Sequence, residues 1–63
     1  VNYVAKARKQ LNMSQNTLSK KAKVSRPYLS NIENLKVQPS VGTAIRIAKV
    51  LNKRVEDIFL DNL

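Results

Sequence analysis

The sequence predicts an all-α fold of five short helices around one small core, and three observations carry that prediction. Apolar residues recur at spacings of three and four along most of the chain. Polar capping residues and two prolines cut it into segments of helical length. No segment alternates apolar and polar residues convincingly enough for a half-buried strand.

The first helix is expected from about Asn2 to Leu11, because Val4, Ala7, Arg8 and Leu11 share one face. Ser14 is placed to cap a second helix, Gln15 to about Ala22, with Leu18, Ser19 and Ala22 inward. Ser25 is placed to cap a third, where Pro27 is tolerated because first-turn amides have no helical partner. That helix ends near Asn34, and its inward stripe is Leu29, Ile32 and Glu33. Pro39 and Ser40 open a fourth helix through Leu51, with Val41, Ala44, Ile45, Ala48 and Leu51 expected inward and Asn52 as its stop. A last helix, about Val55 to Leu60, carries Glu56 and Asp57 in its first turn, where the helix dipole favours negative charge.

With 63 residues there is room for one domain, 1–63. The chain has no Cys and no His, so neither a disulfide framework nor a usual zinc site is available, and no cofactor or metal is expected. Helix packing must supply the stability. The apolar stretches are far shorter than the ~20 residues of a bilayer span, so a cytoplasmic protein with no membrane partner is expected.

Charge is unevenly distributed. Residues 1–32 carry Lys6, Arg8, Lys9, Lys20, Lys21, Lys23 and Arg26 without a single acid. Residues 33–63 are nearly balanced, so the net +8 sits almost wholly in the first half. Such a surplus marks either a face for a polyanion or a merely solvated surface. Lys9, Lys20 and Lys21 read as solvated surface with long-range steering.

The second and third helices are separated by only Lys23, Val24 and Ser25, too short a connection to lay them antiparallel. A steep crossing of this kind is a helix-turn-helix. It needs small residues where the helices touch (Ser19, Ala22), an apolar plug in the turn (Val24) and apolar anchors behind the second member (Leu29, Ile32), and all are present. Arg26, Pro27, Tyr28, Ser30, Asn31 and Asn34 are then left outward, a surface rich in groups that bond base edges or phosphates.

The stretch from Ser14 to Lys36, SQNTLSKKAKVSRPYLSNIENLK, resembles the lambda-repressor-like (Cro/cI, XRE-type) helix-turn-helix family. The likeness extends to the first-helix pattern of Arg8 to Met13 and to PSVGTAIRIAKVLN followed by VEDIF, nearly the whole chain. It implies a compact five-helix DNA-binding domain that puts its third helix in the major groove of double-stranded DNA, as a dimer on a palindromic operator. It further implies that Arg26, Pro27 and Asn31 read bases with Ser30 and Tyr28 beside them. Gln15, Ser25, Asn34, Lys36 and Gln38 match positions that hold the sugar-phosphate backbone, and Gln15 also one that braces the recognition helix. Lys23 stands where the family usually has Gly at positive φ, so about 1 kcal/mol of strain is expected there.

Individual roles stay open between two readings. Arg26 either binds guanine through both acceptors or holds a phosphate; Asn31 either pairs with adenine or solvates the helix. Tyr28 either bonds a phosphate or lies half-packed against the second helix. Arg8 and Glu33 sit on the apolar sides of their helices, and a buried charge is tolerable only when paired, so they are expected to form a structural salt bridge. The resemblance implies the same pair. Phe59, Leu60 and Leu63 crowd the end of the chain, where they either close the core or make a contact between two copies.

These features predict a non-enzymatic transcriptional regulator, a repressor or promoter switch. The carboxylates Glu56, Asp57 and Asp61 look like a helix cap with surface charge rather than an acid/base pair, and no glycine-rich phosphate loop is present. The alternative reading is a protein-interaction module, such as an antitoxin-like partner binder with the same fold. No small-molecule ligand is evident.

Overall fold

The serines preceding three of the helices cap them in the computed structural model, which describes residues 2–59. Ser14 Oγ accepts from the Thr17 amide at 3.0 Å and opens α2 (Gln15–Lys21). Ser25 Oγ does the same for Tyr28 at 3.2 Å, ahead of α3 (Arg26–Glu33), and Ser40 Oγ for Thr43 at 3.2 Å, ahead of α4 (Val41–Val50). Each satisfies one of the amides a helix leaves without a partner. α1 (Val4–Gln10) begins two residues later than the spacing suggests. Asn2 is instead a tie: its Oδ1 accepts from the Val4 amide at 3.2 Å and its Nδ2 donates to the Ile32 carbonyl at 2.9 Å. In α5 (Val55–Ile58), Asp57 Oδ2 accepts from the Arg54 amide at 3.4 Å, with both acids in the first turn. The expected end of that helix, Leu60, lies outside the described residues, as do Leu63 and Asp61.

The first four helices terminate in the same way. After α1, α2, α3 and α4 the chain passes through a left-handed residue, Asn12, Lys23, Leu35 and Asn52, with φ between 54° and 64°. In each case two amides fold back on the helix end: Met13 to Arg8 O, Val24 to Ser19 O, Lys36 to Asn31 O and Lys53 to Ala48 O, each enclosing a tighter turn in which the left-handed residue's own amide reaches the next carbonyl along the helix. This doubly bonded stop satisfies last-turn carbonyls and usually takes glycine. Lys23 and Leu35 meet it with a full side chain. Lys23→Gly is therefore expected to raise the unfolding free energy by about 0.5–1 kcal/mol, read as a higher urea midpoint. A lower midpoint would show that no strain is released there.

Every helix sends apolar side chains to one core. Val4, Leu18, Leu29, Ile32, Ile47, Leu51 and Ile58 are 0–1% exposed, with Ala22 and Phe59 closing the gaps. α2 packs on α3 and on α4, and α4 on α5. The Tyr3 amide donates to Ile58 O at 2.8 Å, tying the start of the chain to α5.

Three expectations are corrected. Leu11 is exposed, because α1 stops at Gln10 and the left-handed turn at Asn12 swings it outward, while Met13 packs on the core in its place. Val41 and Ile45 are also exposed, and Thr43 and Ile47 are buried instead. α4 carries apolar residues on more than one side, so spacing alone does not choose the stripe that packs on α2 and α5. Phe59, left open between closing the core and a contact between copies, is buried within one chain and joins the core.

Among the described residues, no helix is long and apolar enough to cross a membrane.

Candidate nucleic-acid interface

The geometry of the two central helices is set by residues 22–25. Ala22 is fully buried at the end of α2, Lys23 reverses the chain, Val24 packs on the core, and Ser25 starts α3 in an extended conformation. The turn is thus an apolar plug between a left-handed stop and a hydroxyl start. Leu29 and Ile32 anchor α3 from behind at 0% exposure.

That anchoring fixes which side of α3 faces out. Ser25, Arg26 and Pro27 are exposed at its N-terminal end; Tyr28, Ser30 and Asn31 are half-buried, and Asn34 is exposed at the other end. Tyr28 is half-buried and packs against the core. Asn34 Nδ2 donates to Ser30 Oγ at 3.4 Å, one turn back along the helix. A bond that long is weak and easily exchanged for a ligand group. Lys36 and Gln38 are exposed in the following loop.

Gln15 joins this ridge from the start of α2. Its side chain lines a shallow depression together with Arg26, Pro27 and Ser30, so the first turns of the two helices present one continuous surface. The cause is a network behind it. Arg8 grips Glu33 with both arms, Nε to Oε2 at 2.9 Å and Nη2 to Oε1 at 3.0 Å, and its Nη1 donates to Met13 O at 3.0 Å. Gln15 Nε2 donates to the same Glu33 Oε1 at 3.0 Å. One carboxylate at the end of α3 therefore orients both a cation of α1 and the amide of α2. The Arg8 and Glu33 side chains are only 12% and 5% exposed, so the pair is screened from water. Gln15 keeps its carbonyl oxygen and one amide hydrogen for an outside partner.

Electrostatically the exposed charges of residues 15–36 are one-signed. Glu33, the acid of that stretch, is neutralised by Arg8. Lys20, Lys21, Lys23, Arg26 and Lys36 are exposed, and none is in a salt bridge among the described residues. The arrangement offers charged and amide donors to a polyanion.

Sequence reasoning overlooked two supports. Asn2 ties α1 to the end of α3, and nothing in its spacing marks it. Arg46 Nε donates to the Ala22 carbonyl at 2.9 Å and so clamps α4 to the end of α2 just before the turn. Its signal was present: Arg46 stands between Ile45 and Ile47, a charge among apolar residues of the kind that marks Arg8.

Residues 4–58 match a family model described as helix-turn-helix. The chain is 40% identical over 53 residues to an uncharacterized HTH-type transcriptional regulator of Archaeoglobus fulgidus, covering 84% of this chain and 75% of that protein. A second such regulator, from Methanocaldococcus jannaschii, is 43% identical over 49 residues, 78% of this chain and 74% of the relative.

Proposed function

Since the chain belongs to the helix-turn-helix family of the lambda-repressor-like type, we propose that it is a sequence-specific regulator whose α3 enters the major groove of double-stranded DNA and represses by occupancy. The observation that carries this reading is the exposed start of α3 at Arg26 and Pro27, which shares one depression with a Gln15 side chain oriented by the buried Arg8–Glu33 pair. Arg26 and Asn31 read base edges, with Ser30 alongside. Pro27 has no donor and reads only a thymine methyl or the shape of the groove. Gln15, Ser25, Asn34, Lys36 and Gln38 hold the backbone, and Tyr28 flanks the base-reading residues. The chain works in the cytoplasm. One ridge covers half a site, so two copies with their α3 helices ~34 Å apart occupy successive grooves of a palindromic operator.

Selection of bound duplexes from a random pool, followed by titration against salt, tests this. DNA binding loses affinity with a slope of about −0.9 per phosphate contacted, whereas an apolar protein interface changes little with salt. Asn31→Ala is expected to relax preference at one or two positions, and Lys36→Ala to weaken all sequences alike with a slope smaller by about one. The reverse pattern would exchange their roles; a flat salt response would remove DNA as the partner.

A further inference from the structure

Two positions cost the chain stability without any return inside the fold. Leu35 takes a left-handed φ of 64°, a conformation that suits glycine or asparagine, yet its side chain is 57% exposed and gains no burial for that strain. Gly42, the only glycine, stands exposed in the first turn of α4 without a left-handed φ, and a Cβ there would meet nothing nearer than Arg46 Nη1 at 3.8 Å. Alanine would fit and would favour the helix, so the fold itself does not ask for glycine.

The same stretch collects exposed apolar side chains. Val41 is 78% exposed, and Ile45, one turn further along the same side of α4, is exposed as well; Leu35 and Val37 lie in the connection that leads into that helix. Four of the six large apolar side chains exposed among the described residues thus fall between residues 35 and 45, where Lys36 is the only charge. The glycine beside Val41 opens a notch in this edge through which another backbone can come close.

We infer that this edge is where two copies of the chain meet on DNA, the apolar side chains of each lying over the Gly42 notch of the other. The inference rests on the reading of α3 given above. Three features select a second copy as the occupant. The edge starts at the end of α3, between Asn34 and Lys36, so the protein surface that a bound duplex brings beside it is the copy on the neighbouring half-site. It is almost uncharged, which lets a partner of the same net charge, +8, approach, whereas an acidic partner would find Lys36 alone. Its few hundred Å2 fall well short of the ~800 Å2 per partner of a stable pair, so the copies stay apart in solution and join where two half-sites hold them side by side. Phe59, being core, takes no part.

The test uses the full 63-residue chain and three duplexes: one selected half-site, two half-sites a helical turn apart, and the same two offset by about five further base pairs, half a turn. The second copy is expected to bind the two-site duplex at least tenfold more tightly than the single half-site, and to lose that gain at the offset spacing. Leu35→Asn/Val41→Ser should abolish the gain while keeping the melting temperature and the half-site affinity. Gly42→Gln, which fills the notch, should abolish it without melting lower. Leu11→Ser, which removes a comparably exposed apolar side chain elsewhere, should keep it. The free chain should sediment as single copies. A free chain that sediments as a pair, a gain that survives these edge variants or the offset spacing, or one that Leu11→Ser abolishes equally would overturn the proposal. Two copies binding independently would overturn it too and leave the α3 reading intact, because half-site affinity is measured on its own; a chain that binds no selected half-site would fail the α3 reading first and this one with it.

Discussion

Arg8→Ala is expected to lower the unfolding free energy by about 3–5 kcal/mol, the usual cost of removing one partner from a buried ion pair. The loss exceeds that of one contact because Arg8 serves two acceptors. Without it Glu33 keeps its charge at 5% exposure with only the Gln15 amide beside it, and the Met13 carbonyl loses the guanidinium nitrogen that reached it. A chain of 63 residues has a total stability of only about 3–9 kcal/mol, so much of the variant should be unfolded at 25 °C. Urea titration followed by helical circular dichroism reads this directly. Replacing both partners with apolar residues of similar volume, Arg8→Met with Glu33→Leu, should recover most of the loss, because neither buried charge then remains. An Arg8→Ala protein that unfolds at the parent's midpoint would mean that water reaches the pair and that Glu33 does not organise the interface.

Arg26→Ala is expected to weaken binding to the selected duplex by about 1–3 kcal/mol, roughly 5- to 150-fold, while changing thermal stability little. The two readouts separate because of where Arg26 stands. It is exposed at the first position of α3, and among the described residues neither a salt bridge nor a side-chain hydrogen bond ties it to the chain. If it reads guanine, affinity for the selected sequence falls more than affinity for a random duplex, and the ratio between them shrinks. If it holds a phosphate, both fall together and the ratio survives. Fluorescence anisotropy on the two duplexes at one fixed salt concentration distinguishes the outcomes.

Local chemistry decided much of this protein in advance. Ser14, Ser25 and Ser40 cap wherever a helix follows them, because a hydroxyl reaches an amide three residues on in any such context. Three residues between two helices permit few crossings, so the helix-turn-helix and the outward side of α3 were legible from spacing. The buried pair was legible too, since an unpaired charge on an apolar stripe has no affordable environment.

Other features depend on atoms distant in sequence, and only the assembled fold chose them. α4 had two apolar stripes of similar strength, and packing on α2 and α5 selected Ile47 over Ile45. Leu11 lost its expected place because the helix stopped one residue sooner, which a spacing rule cannot register. Phe59 became core because the folded chain packs around it, which its own sequence neighbours could not show. Arg46 on Ala22, Asn2 on Ile32 and Gln15 on Glu33 each join residues 18 to 30 positions apart. Periodicity fixes what a helix wants to hide, within itself. Which neighbour hides it, and which polar groups meet across the gap, follows from the packing of all five helices at once.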